Sequence, residues 1–333
     1  MAIFYWILVC YDEGERRGGK DMTSSRTMDE GKRTRRLNTV KMYAFLISII
    51  GFQLVNFVIF YVIVNANSLM MAFQWRETDG SLTWTLHSFE VMFSQFASGA
   101  SEIRIALRNT FIYFGFGFIM LPISFTTSYF MYKKIWGHQA FRILFFLPSV
   151  LSGVVWSMIY KNIVGVNGPI AALYQQIHGL PEPPVFLADS KYALTTVLMY
   201  SFWLGIAGNF VIFSGTLTRI PESVIEAGKL DGVSWIRELW QIILPLMWPT
   251  IGTMILLQLS GIFTASGNIL LLTGGAWNTN SISFLIFQQV YGVAETSNTY
   301  NYGSAVGMFF TLLTIPIVFV SRYFINRIED VEY

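Results

Sequence analysis

Six long apolar segments, separated by polar stretches, dominate the hydropathy pattern of this chain of 333 residues. Each is close to the length of about 20 residues that an α-helix needs to cross a bilayer. None of the segments contains Asp, Glu, Lys, Arg or His. The pattern therefore predicts six transmembrane helices, at residues 43–64, 110–131, 143–159, 193–217, 246–272 and 303–321.

The composition agrees with an all-α membrane protein. Hydrophobic residues make up 53% of the chain and charged residues only 13%, whereas a soluble domain carries about 25% charged residues. The net charge of +2 is too small to indicate a nucleic-acid partner, and we expect none. No tandem period of about 20 to 50 residues is visible, which excludes a repeat array.

The distribution of Lys and Arg predicts the orientation of the helices, because short cytoplasmic loops are enriched in both residues. Nine of them precede the first segment, three separate the second from the third, three separate the fourth from the fifth, and two follow the last. With the N-terminus inside, 17 of the 22 Lys and Arg residues therefore face the cytoplasm. We expect both termini to be cytoplasmic.

The chain is expected to be organised as one membrane domain, residues 42–327, between a mobile cytoplasmic N-terminal tail, residues 1–41, and a short cytoplasmic C-terminal tail, residues 328–333. From Asp12 to Lys41 the tail is rich in charged residues and has too little apolar content to bury. Its first ten residues, MAIFYWILVC, are too few to span a bilayer, and positive charges follow them rather than precede them, unlike in a signal peptide. We interpret this stretch as a mis-assigned start, with the true start at Met22 or Met28, or as a short interfacial segment.

The sequence contains no recognisable catalytic or cofactor-binding motif. A G-x-x-x-x-G-K-[ST] phosphate-binding loop is missing, because EAGKLDG lacks the first glycine and the final hydroxyl. The three histidines are scattered over loops, and the single cysteine, Cys10, can form neither an internal disulfide nor a cysteine-based metal cluster. We expect a protein that is not an enzyme and that holds no metal or cofactor of its own.

Weakly polar residues inside the apolar segments are candidates for contact with a solute. Asn209 lies in the fourth segment, and four further residues lie in the fifth at steps of three, three and four, which would place them on one face of a helix. That face is either a helix-packing seam or the lining of a pathway, and both readings stay open. The four residues are Gln258, Gly261, Thr264 and Asn268.

The stretch ESVIEAGKLDGVSWIRELWQIILP is a polar, amphipathic insert between the fourth and fifth segments. Pro221 is acceptable in a first helical turn, and Gly228 and Gly232 bracket a turn. Ser234 can cap a second helix, whose apolar residues recur near helical spacing until Pro245 ends or kinks it. The pattern predicts a helix-turn-helix at the cytoplasmic surface.

The spacing within this insert resembles a known motif. Glu226-Ala227-Gly228, three residues, Gly232, nine residues and then Ile242-Ile243-Leu244-Pro245 match E-A-A-x-x-x-G-x9-I-x-L-P, the EAA loop of binding-protein-dependent ABC importer permeases. Only Gly228 departs from the motif, since it replaces the second alanine with a residue of lower helix propensity. We name residues 218–245 the coupling loop.

The similarity to this family extends from about Lys41 to Arg327 and looks like its carbohydrate-uptake branch, related to the maltose permease. The segments that carry it are ALRNTFIYF, FRILFFLPSVLSGVVWSMIY, FLADSKYAL, WLGIAGN and LLTGGAWNTNSISFLIFQQVY. The C-terminal RIEDVEY lacks the glycine- and alanine-containing tail common in the second subunit of such pairs. The chain thus resembles the first, MalF-like member of a heterodimer.

This resemblance implies the type I ABC importer permease fold in the lipid of a bacterial cytoplasmic (inner) membrane. The implied partners are a second EAA-type permease, a cytoplasmic ATPase dimer that holds ATP and Mg, an extracellular or periplasmic solute-binding protein and a saccharide. Glu226 and Gly232 would keep the shape of the coupling loop, although Glu226 alone could be an ordinary helix-surface carboxylate. The residues implied in coupling are Glu226, Ala227, Gly228, Asp231, Gly232, Ile242, Leu244 and Pro245.

The resemblance also implies that the helices on either side of the coupling loop line the solute pathway. Gly208 stands where an aromatic residue would stack on a sugar ring, so we expect a saccharide other than maltose. The alternatives are a non-sugar cargo (glycerol phosphate, a polyamine or a modified uronate) and an ATP-independent carrier; an anionic cargo would want Arg or Lys facing the cavity, which the segments lack. The implied pathway residues are Leu204, Gly205, Gly208, Asn209, Gln258, Gly261, Thr264 and Asn268.

Overall fold

The computed structural model describes residues 25–77, 79–98, 102–265, 268–291 and 297–328. Helices predominate in these residues, which confirms the predicted helical class apart from one β-hairpin. The chain divides into two units, residues 1–67 and residues 68–333, and each is described by itself.

The described part of the first unit is one long helix. Helix α1 (Ser25–Asn56) runs without a break into a π-helical segment (Phe57–Ile63) and then into helix α2 (Val64–Met71), within which the second unit begins. The stretch Lys41–Met71 is long and apolar enough to cross a membrane. The helix predicted at residues 43–64 is therefore confirmed, and it extends further than predicted.

Part of the tail predicted at residues 1–41 is helical, because α1 begins at Ser25; its mobility stays a prediction. Residues 25–41 contain four Arg, two Lys, one Leu, one Glu and one Met, all good helix formers, with one Gly and no Pro. Once the apolar segment has nucleated a helix, such residues can extend it, because propagation is far easier than nucleation. The predictions for the first ten residues and for residues 329–333 lie outside the described residues.

The second unit consists of an antiparallel hairpin, β1 (Gln74–Arg76) and β2 (Leu82–Trp84), and a series of helices. The helices are, in chain order, α3 (His87–Ala97), α4 (Glu102–Tyr132), α5 (His138–Val150), α6 (Gly153–Val164), α7 (Pro169–His178), α8 (Ala193–Leu217), α9 (Glu222–Leu230), α10 (Trp235–Glu238), a π-helical segment (Leu239–Ile243), α11 (Leu244–Leu246), α12 (Trp248–Ser260), α13 (Ile269–Leu272), α14 (Ile282–Tyr291) and α15 (Ser297–Ile325).

Three helices of the second unit, α4, α8 and α15, are long and apolar enough to cross a membrane. Helix α8 has the bounds predicted from the sequence, and α4 and α15 contain the predicted segments 110–131 and 303–321 and extend beyond them. Together with the span of the first unit, the described residues contain four candidate spans, or six if each of two bent helix pairs is one span.

The first bent pair corrects the single helix predicted at residues 143–159. Helices α5 and α6 are separated at residues 151–152, and α5 is bent by 112° relative to Gly153–His178. Pro148 has no N–H to continue the helical hydrogen bonds. Ser152 then caps the next helix, because its Oγ accepts a 3.2 Å hydrogen bond from the backbone N–H two residues further on.

The second correction concerns the helix predicted over residues 246–272. Helix α12 ends at Ser260, residues 261–264 form turns, and α13 begins only at Ile269. The helix stops at Gly261 (φ −86°, ψ 0°), since glycine is, after proline, the residue least favourable to a helix. The four polar residues predicted to share one helical face do not do so: Gln258, Gly261, Thr264 and Asn268.

A short apolar helix lies where the sequence predicted an outer loop. The stretch ISFLIFQQVY forms α14 and buries Ile282, Phe284 and Leu285. Ten residues are too few to span a bilayer, and periodicity alone does not assign an apolar run of this length to a helix or a strand. The pattern therefore carried no clear signal for it.

The β-hairpin is attached to the start of α15 by one asparagine. The side chain of Asn298 accepts a hydrogen bond from the backbone N–H of Arg76 and donates one to the carbonyl of the same residue, both at 2.9 Å. Arg76 is the last residue of β1, and these two bonds engage both its N–H and its carbonyl. The hairpin is thereby held against the helix that ends the fold.

Two of the segments that carry the family resemblance meet in space. Asn109 in ALRNTFIYF is buried, and its amide donates to the carbonyls of Asn278 at 2.6 Å and Asn280 at 2.8 Å in the WNTNS stretch. The neighbouring Thr110 accepts a 2.9 Å bond from the N–H of Ile282. Helix α4 therefore holds the loop that leads into α14.

Candidate functional site

The coupling loop forms the helix-turn-helix predicted from its pattern. Helix α9 follows Pro221, which is extended (φ −61°, ψ 136°), and α10 follows Ser234, also extended. The side chain of Ser234 makes no capping hydrogen bond, which corrects that part of the prediction. Its carbonyl accepts the first bond of the helix, from the N–H of Glu238 at 2.8 Å.

The turn between the two helices depends on Gly232. Its backbone is left-handed (φ +69°), a conformation that glycine adopts without the steric penalty that a Cβ brings. The N–H of Gly232 donates to the carbonyl of Lys229 at 3.1 Å, and the N–H of Val233 donates to that of Gly228 at 3.0 Å. These two bonds define a Schellman motif, which satisfies the last carbonyls of α9 and reverses the chain.

The two arms of the loop, α9 and the stretch from α10 to α11, touch at Gly228. This glycine is buried, and a Cβ built on it would lie 3.0 Å from Cδ1 of Ile242. The one departure from the family motif therefore lies at a point of close approach between the arms. An alanine fits there only if the end of the isoleucine side chain moves by a few tenths of an ångström.

The second arm is bent where it joins α12. Leu244 donates its N–H to the carbonyl of Leu239, a π-type bond that precedes Pro245, which itself has no N–H to donate. The helix continues to Leu246, and the axis then turns by 73° into α12. The kink predicted at Pro245 is confirmed, and it falls two residues later, at Met247.

The inner face of the coupling loop packs into one apolar cluster with the transmembrane helices. Ile225 from the first arm and Leu239 and Ile243 from the second are buried in it. Helix α4 contributes side chains from three successive turns, α8 and α12 contribute three, and Ile220 and Met247 lie in the connections at the two ends of the loop. The other members are Leu121, Phe125, Tyr129, Phe213, Leu217, Ile220, Met247 and Met254.

An ion pair between a half-buried lysine and a buried carboxylate also joins the loop to α4. Nζ of Lys133, just after α4, donates to both carboxylate oxygens of Glu238 at 2.8 Å. Glu238 is only 5% exposed. Next to the pair, the hydroxyl of Tyr129 donates to the carbonyl of Trp235 at 3.3 Å.

The outer face of the loop presents both charge and apolar surface. Glu226, Ala227 and Asp231 are exposed, and Glu226 makes no hydrogen bond or ion pair with the described residues. Its predicted role in keeping the loop's shape has no described contact behind it and stays a prediction. The exposed large apolar side chains of the loop are Leu230, Trp235, Ile236 and Trp240.

A polar groove of about 440 Å³ lies beside α9. One wall is the end of α4 and the turn after it, and the other is the first arm of the loop. Carboxylates and ammonium groups both line it, so it suits a partner surface that is itself charged. The lining residues are Tyr132, Lys133, Lys134, Glu222, Ile225, Glu226 and Lys229.

Two of the predicted pathway residues lie in a helix-packing seam. A Cβ on Gly205 would meet Sδ of Met120 at 2.4 Å, and a Cβ on Gly117 would meet the amide nitrogen of Gln258 at 2.0 Å. Helices α8 and α12 therefore both press closely against α4 at these points. Such close approach at glycines is the usual packing of membrane helices, which favours the seam for Gly205 and Gln258.

The other predicted pathway residues are more open. Gly208 is exposed, and a Cβ there would meet nothing within 4 Å. Leu204 and Asn209 are half-buried on the same helix, and Thr264 is exposed in the turns after α12. Gly261 and Asn268 are half-buried at the ends of those turns. The structure thus leaves Gly208 with free space beside it and does not unite all eight residues on one surface.

Lys133, Glu238 and Tyr129 were missed in the sequence reasoning. The available signal was a carboxylate next to the apolar stripe of the second arm, because a buried charge needs a partner. The spacing of residues in the sequence could not indicate which lysine pairs with this carboxylate.

Among the described residues, no group of three or more His, Cys, Asp or Glu side chains could hold a metal ion.

Comparison with known proteins agrees with this geometry. The family model of the binding-protein-dependent transport system inner membrane component matches residues 32–330. The chain therefore belongs to this family of membrane transport subunits. The family membership supports a multi-pass protein whose own role is that of a permease subunit.

Two curated relatives are informative. The chain is 30% identical over 194 residues to the multiple sugar-binding transport system permease protein MsmF of Streptococcus mutans, a match that covers 58% of this chain and 65% of that protein. It is 26% identical over 267 residues to the lactose transport system permease protein LacF of Rhizobium radiobacter, covering 73% of this chain and 85% of that protein. The chain thus spans just under two thirds of MsmF and most of LacF.

Among solved structures, the chain is similar to a subunit of a bacterial alginate ABC transporter in complex with an alginate pentasaccharide-bound periplasmic protein. The TM-score is 0.71 at 18% sequence identity, and the match covers 89% of this chain and 99% of that one. At this identity the likeness shows the fold alone.

We predict that substitutions of Gly232 destabilise the loop according to how poorly each residue tolerates a φ of +69°. Asn, which visits left-handed backbone most readily, should have the smallest effect, and Val the largest, of about 1–2 kcal/mol. A Cβ at this position would meet nothing within 4 Å, so strain rather than collision is the cause. Thermal unfolding in detergent measures the order.

Gly215 provides the matched control for Gly232, because it is equally open but lies inside α8 without a positive φ. Gly215→Ala should leave stability unchanged or raise it, whereas Gly232→Ala should lower it. Equal effects of Asn and Val at position 232 would contradict the assignment.

A second prediction concerns Gly228→Ala. The substitution gains about 1 kcal/mol of helix propensity and asks only the flexible end of Ile242 to shift. We expect stability to be unchanged or increased in thermal unfolding, and to fall for the bulkier Gly228→Val. Ile242→Val removes the contacting methyl group, so Gly228→Ala should gain more in that background. If Gly228→Ala lowered stability as much as Gly228→Val, the two arms could not move apart to admit even a methyl group, which would contradict this prediction.

Proposed function

We propose that this chain is the permease subunit of an ATP-driven importer that carries a sugar or oligosaccharide across the bacterial cytoplasmic membrane. The observation that carries the proposal is the coupling loop, a Schellman-closed helix-turn-helix with the spacing of the EAA motif, in a chain that belongs to the permease family. The related permeases that are named for their cargo, MsmF and LacF, transport sugars.

The coupling loop would be the point at which energy enters. Its inner face is fixed to the membrane helices by the apolar cluster, while its outer face leaves large apolar side chains in solvent. Leu230, at the end of α9, is 88% exposed. An exposed apolar side chain beside a charged groove is typical of a surface that binds another protein, and a cytoplasmic ATPase dimer is the partner we propose.

The proposed topology has six spans, with both termini inside. Each bent helix pair then crosses the membrane once, and the coupling loop lies on the side that carries most of the Lys and Arg residues. The β-hairpin and α7 lie on the opposite side. An external solute-binding protein would dock there, as the periplasmic protein in the alginate transporter complex suggests, and a second EAA-type permease would complete the pathway.

A neutral saccharide is the cargo that the residues favour. The described segments that would line a pathway contain no Arg or Lys to pair with an anionic solute, and the space beside Gly208 has no aromatic side chain in the position expected for maltose. ATP and Mg would be held by the partner ATPases, so this chain would contribute binding and movement but no hydrolysis.

The proposal is tested by isolating the complex from its native membrane. A C-terminally tagged chain, extracted gently, should co-purify with an ATPase that has a Walker motif, a second EAA-bearing permease and a solute-binding protein, identified by mass spectrometry. Gly232→Asp should stay in the membrane with the second permease but lose the ATPase, because the carboxylate projects from the exposed turn into the docking surface. The chain purified alone, under conditions that keep a known importer intact, would overturn the proposal in favour of a carrier.

A further inference from the structure

Three transmembrane helices meet the coupling loop, but the chain connects only two of them to it. Helix α8 leads into the loop through residues 218–221, and α12 leaves it at Met247. Helix α4 has no such covalent connection, although it supplies Leu121, Phe125 and Tyr129 to the shared cluster. Any displacement of the loop reaches α4 only through non-covalent contacts.

The apolar contacts between α4 and the second arm are incomplete. An apolar cavity of about 340 Å³ lies between them, lined by Phe118 and Phe125 of α4 and by Leu239 and Leu244 of the loop. Apolar contacts are non-directional, and here the surfaces do not fill the space. The arm could therefore shift along α4 without losing much contact if packing alone held it.

The ion pair fixes the position of the second arm relative to α4, which the incomplete apolar packing does not do. Both Glu238 oxygens accept from Nζ of Lys133 at 2.8 Å, a two-point contact whose strength depends on geometry. Nζ also lies 5.9 Å from the ring centre of Tyr129, within the range of a cation–π interaction, and the hydroxyl of that tyrosine donates to the carbonyl of Trp235. Two polar contacts, the ion pair and the hydrogen bond from the tyrosine hydroxyl, thus link the end of α4 to a single turn of the second arm.

Stability alone does not explain a buried pair at this position. Replacing a buried ion pair by well-packed apolar residues is often neutral or stabilising, whereas removing one partner is strongly destabilising. An apolar pair beside an existing apolar cavity would thus hold the fold equally well. A directional charged contact is useful where the relative position of two elements has to be fixed.

We propose that Lys133 and Glu238 are positioning residues that make α4 move together with the coupling loop. The ATP-driven movement of the loop would then reach α4, although the chain does not connect α4 directly to the loop. This inference rests on the proposed function, because it takes the loop as the element that the ATPase moves. Glu238 is buried away from the docking face, whereas Lys133 also lines the polar groove beside α9. Co-purification of the ATPase with each variant therefore separates an effect on coupling from an effect on docking.

The test uses the whole co-purified complex in proteoliposomes and measures MgATP hydrolysis with and without the co-purified binding protein, used as isolated. The binding protein on the outer side can change hydrolysis at the ATPases only through contacts that link the two sides, so transmitted movement appears as stimulation of hydrolysis by the external protein. The variants are Glu238→Gln, the apolar pair Lys133→Met with Glu238→Leu, and the charge swap Lys133→Glu with Glu238→Lys. Arg142→Met and Arg322→Met, at exposed residues without a described ion pair and on the side of the membrane proposed to face away from the binding protein, are the matched controls.

In the wild type and both controls, the binding protein should raise the rate of MgATP hydrolysis about fivefold or more, which is the lower end of the usual size of coupling between two sites. Glu238→Gln and the apolar pair should assemble with the ATPase yet hydrolyse ATP at the basal rate, and the charge swap should recover most of the stimulation. If Glu238→Gln fails to assemble, the apolar pair and the charge swap decide the question.

If a complex that carries the apolar pair assembles and its hydrolysis is stimulated as strongly as that of the wild type, the inference is overturned and the ion pair is only a structural contact. The absence of any ATPase from the wild-type preparation would instead overturn the proposed function, and the inference with it. The two failures are therefore distinguishable in the same set of preparations.

Discussion

The left-handed turn at Gly232 is the constraint on which the site depends. Because this residue accepts a φ of +69°, α9 can end in a Schellman motif and the chain can fold back within two residues. That reversal brings Gly228 against Ile242 and turns Glu238 towards Lys133. An extended or helical backbone at position 232 would carry the second arm away from the first, and neither contact could form.

A second constraint comes from the membrane. Backbone groups in hydrocarbon must be satisfied within the protein, which restricts spanning segments to helices or closed barrels. At two of the places where the described helices are interrupted, proline, serine or glycine is present: Pro148 and Ser152 in one bent pair and Gly261 after α12. The side of the coupling loop that faces the membrane helices is likewise suited to this environment, since it is apolar and continues the packing of the helices that flank it.

Features that depend on neighbouring residues in sequence were predictable. The helix at 193–217, the kink near Pro245 and the turn at Gly232 all follow from local propensity and from turn chemistry, which act over a few residues. The family resemblance depended on the same property, because the EAA spacing is contained within twenty residues.

Features that depend on contacts between distant residues were not predictable. The fifth segment was assigned as one helix because its apolar residues continue past Gly261, and hydropathy does not register where a helix ends inside an apolar run. The meeting of Asn109 with the stretch around Asn278, and of Lys133 with Glu238, joins residues more than a hundred positions apart. For the pathway residues, the seam and the pathway were equally open in the sequence; the close approach of Gly205 to Met120 favours the seam at that position, and the free space at Gly208 leaves the pathway open there.

The account is tested most directly by asking what touches the exposed end of α9 in the cell. A photo-crosslinking amino acid in place of Leu230, which is 88% exposed, should capture an ATPase with a Walker motif, identified by mass spectrometry. The same amino acid in place of Ile177, which is 69% exposed on α7 and proposed to face the other side of the membrane, should not. Capture of the ATPase from position 230 alone is the predicted result; capture of lipid only, or of the same partner from both positions, would contradict the claim that this loop is where the importer receives its energy.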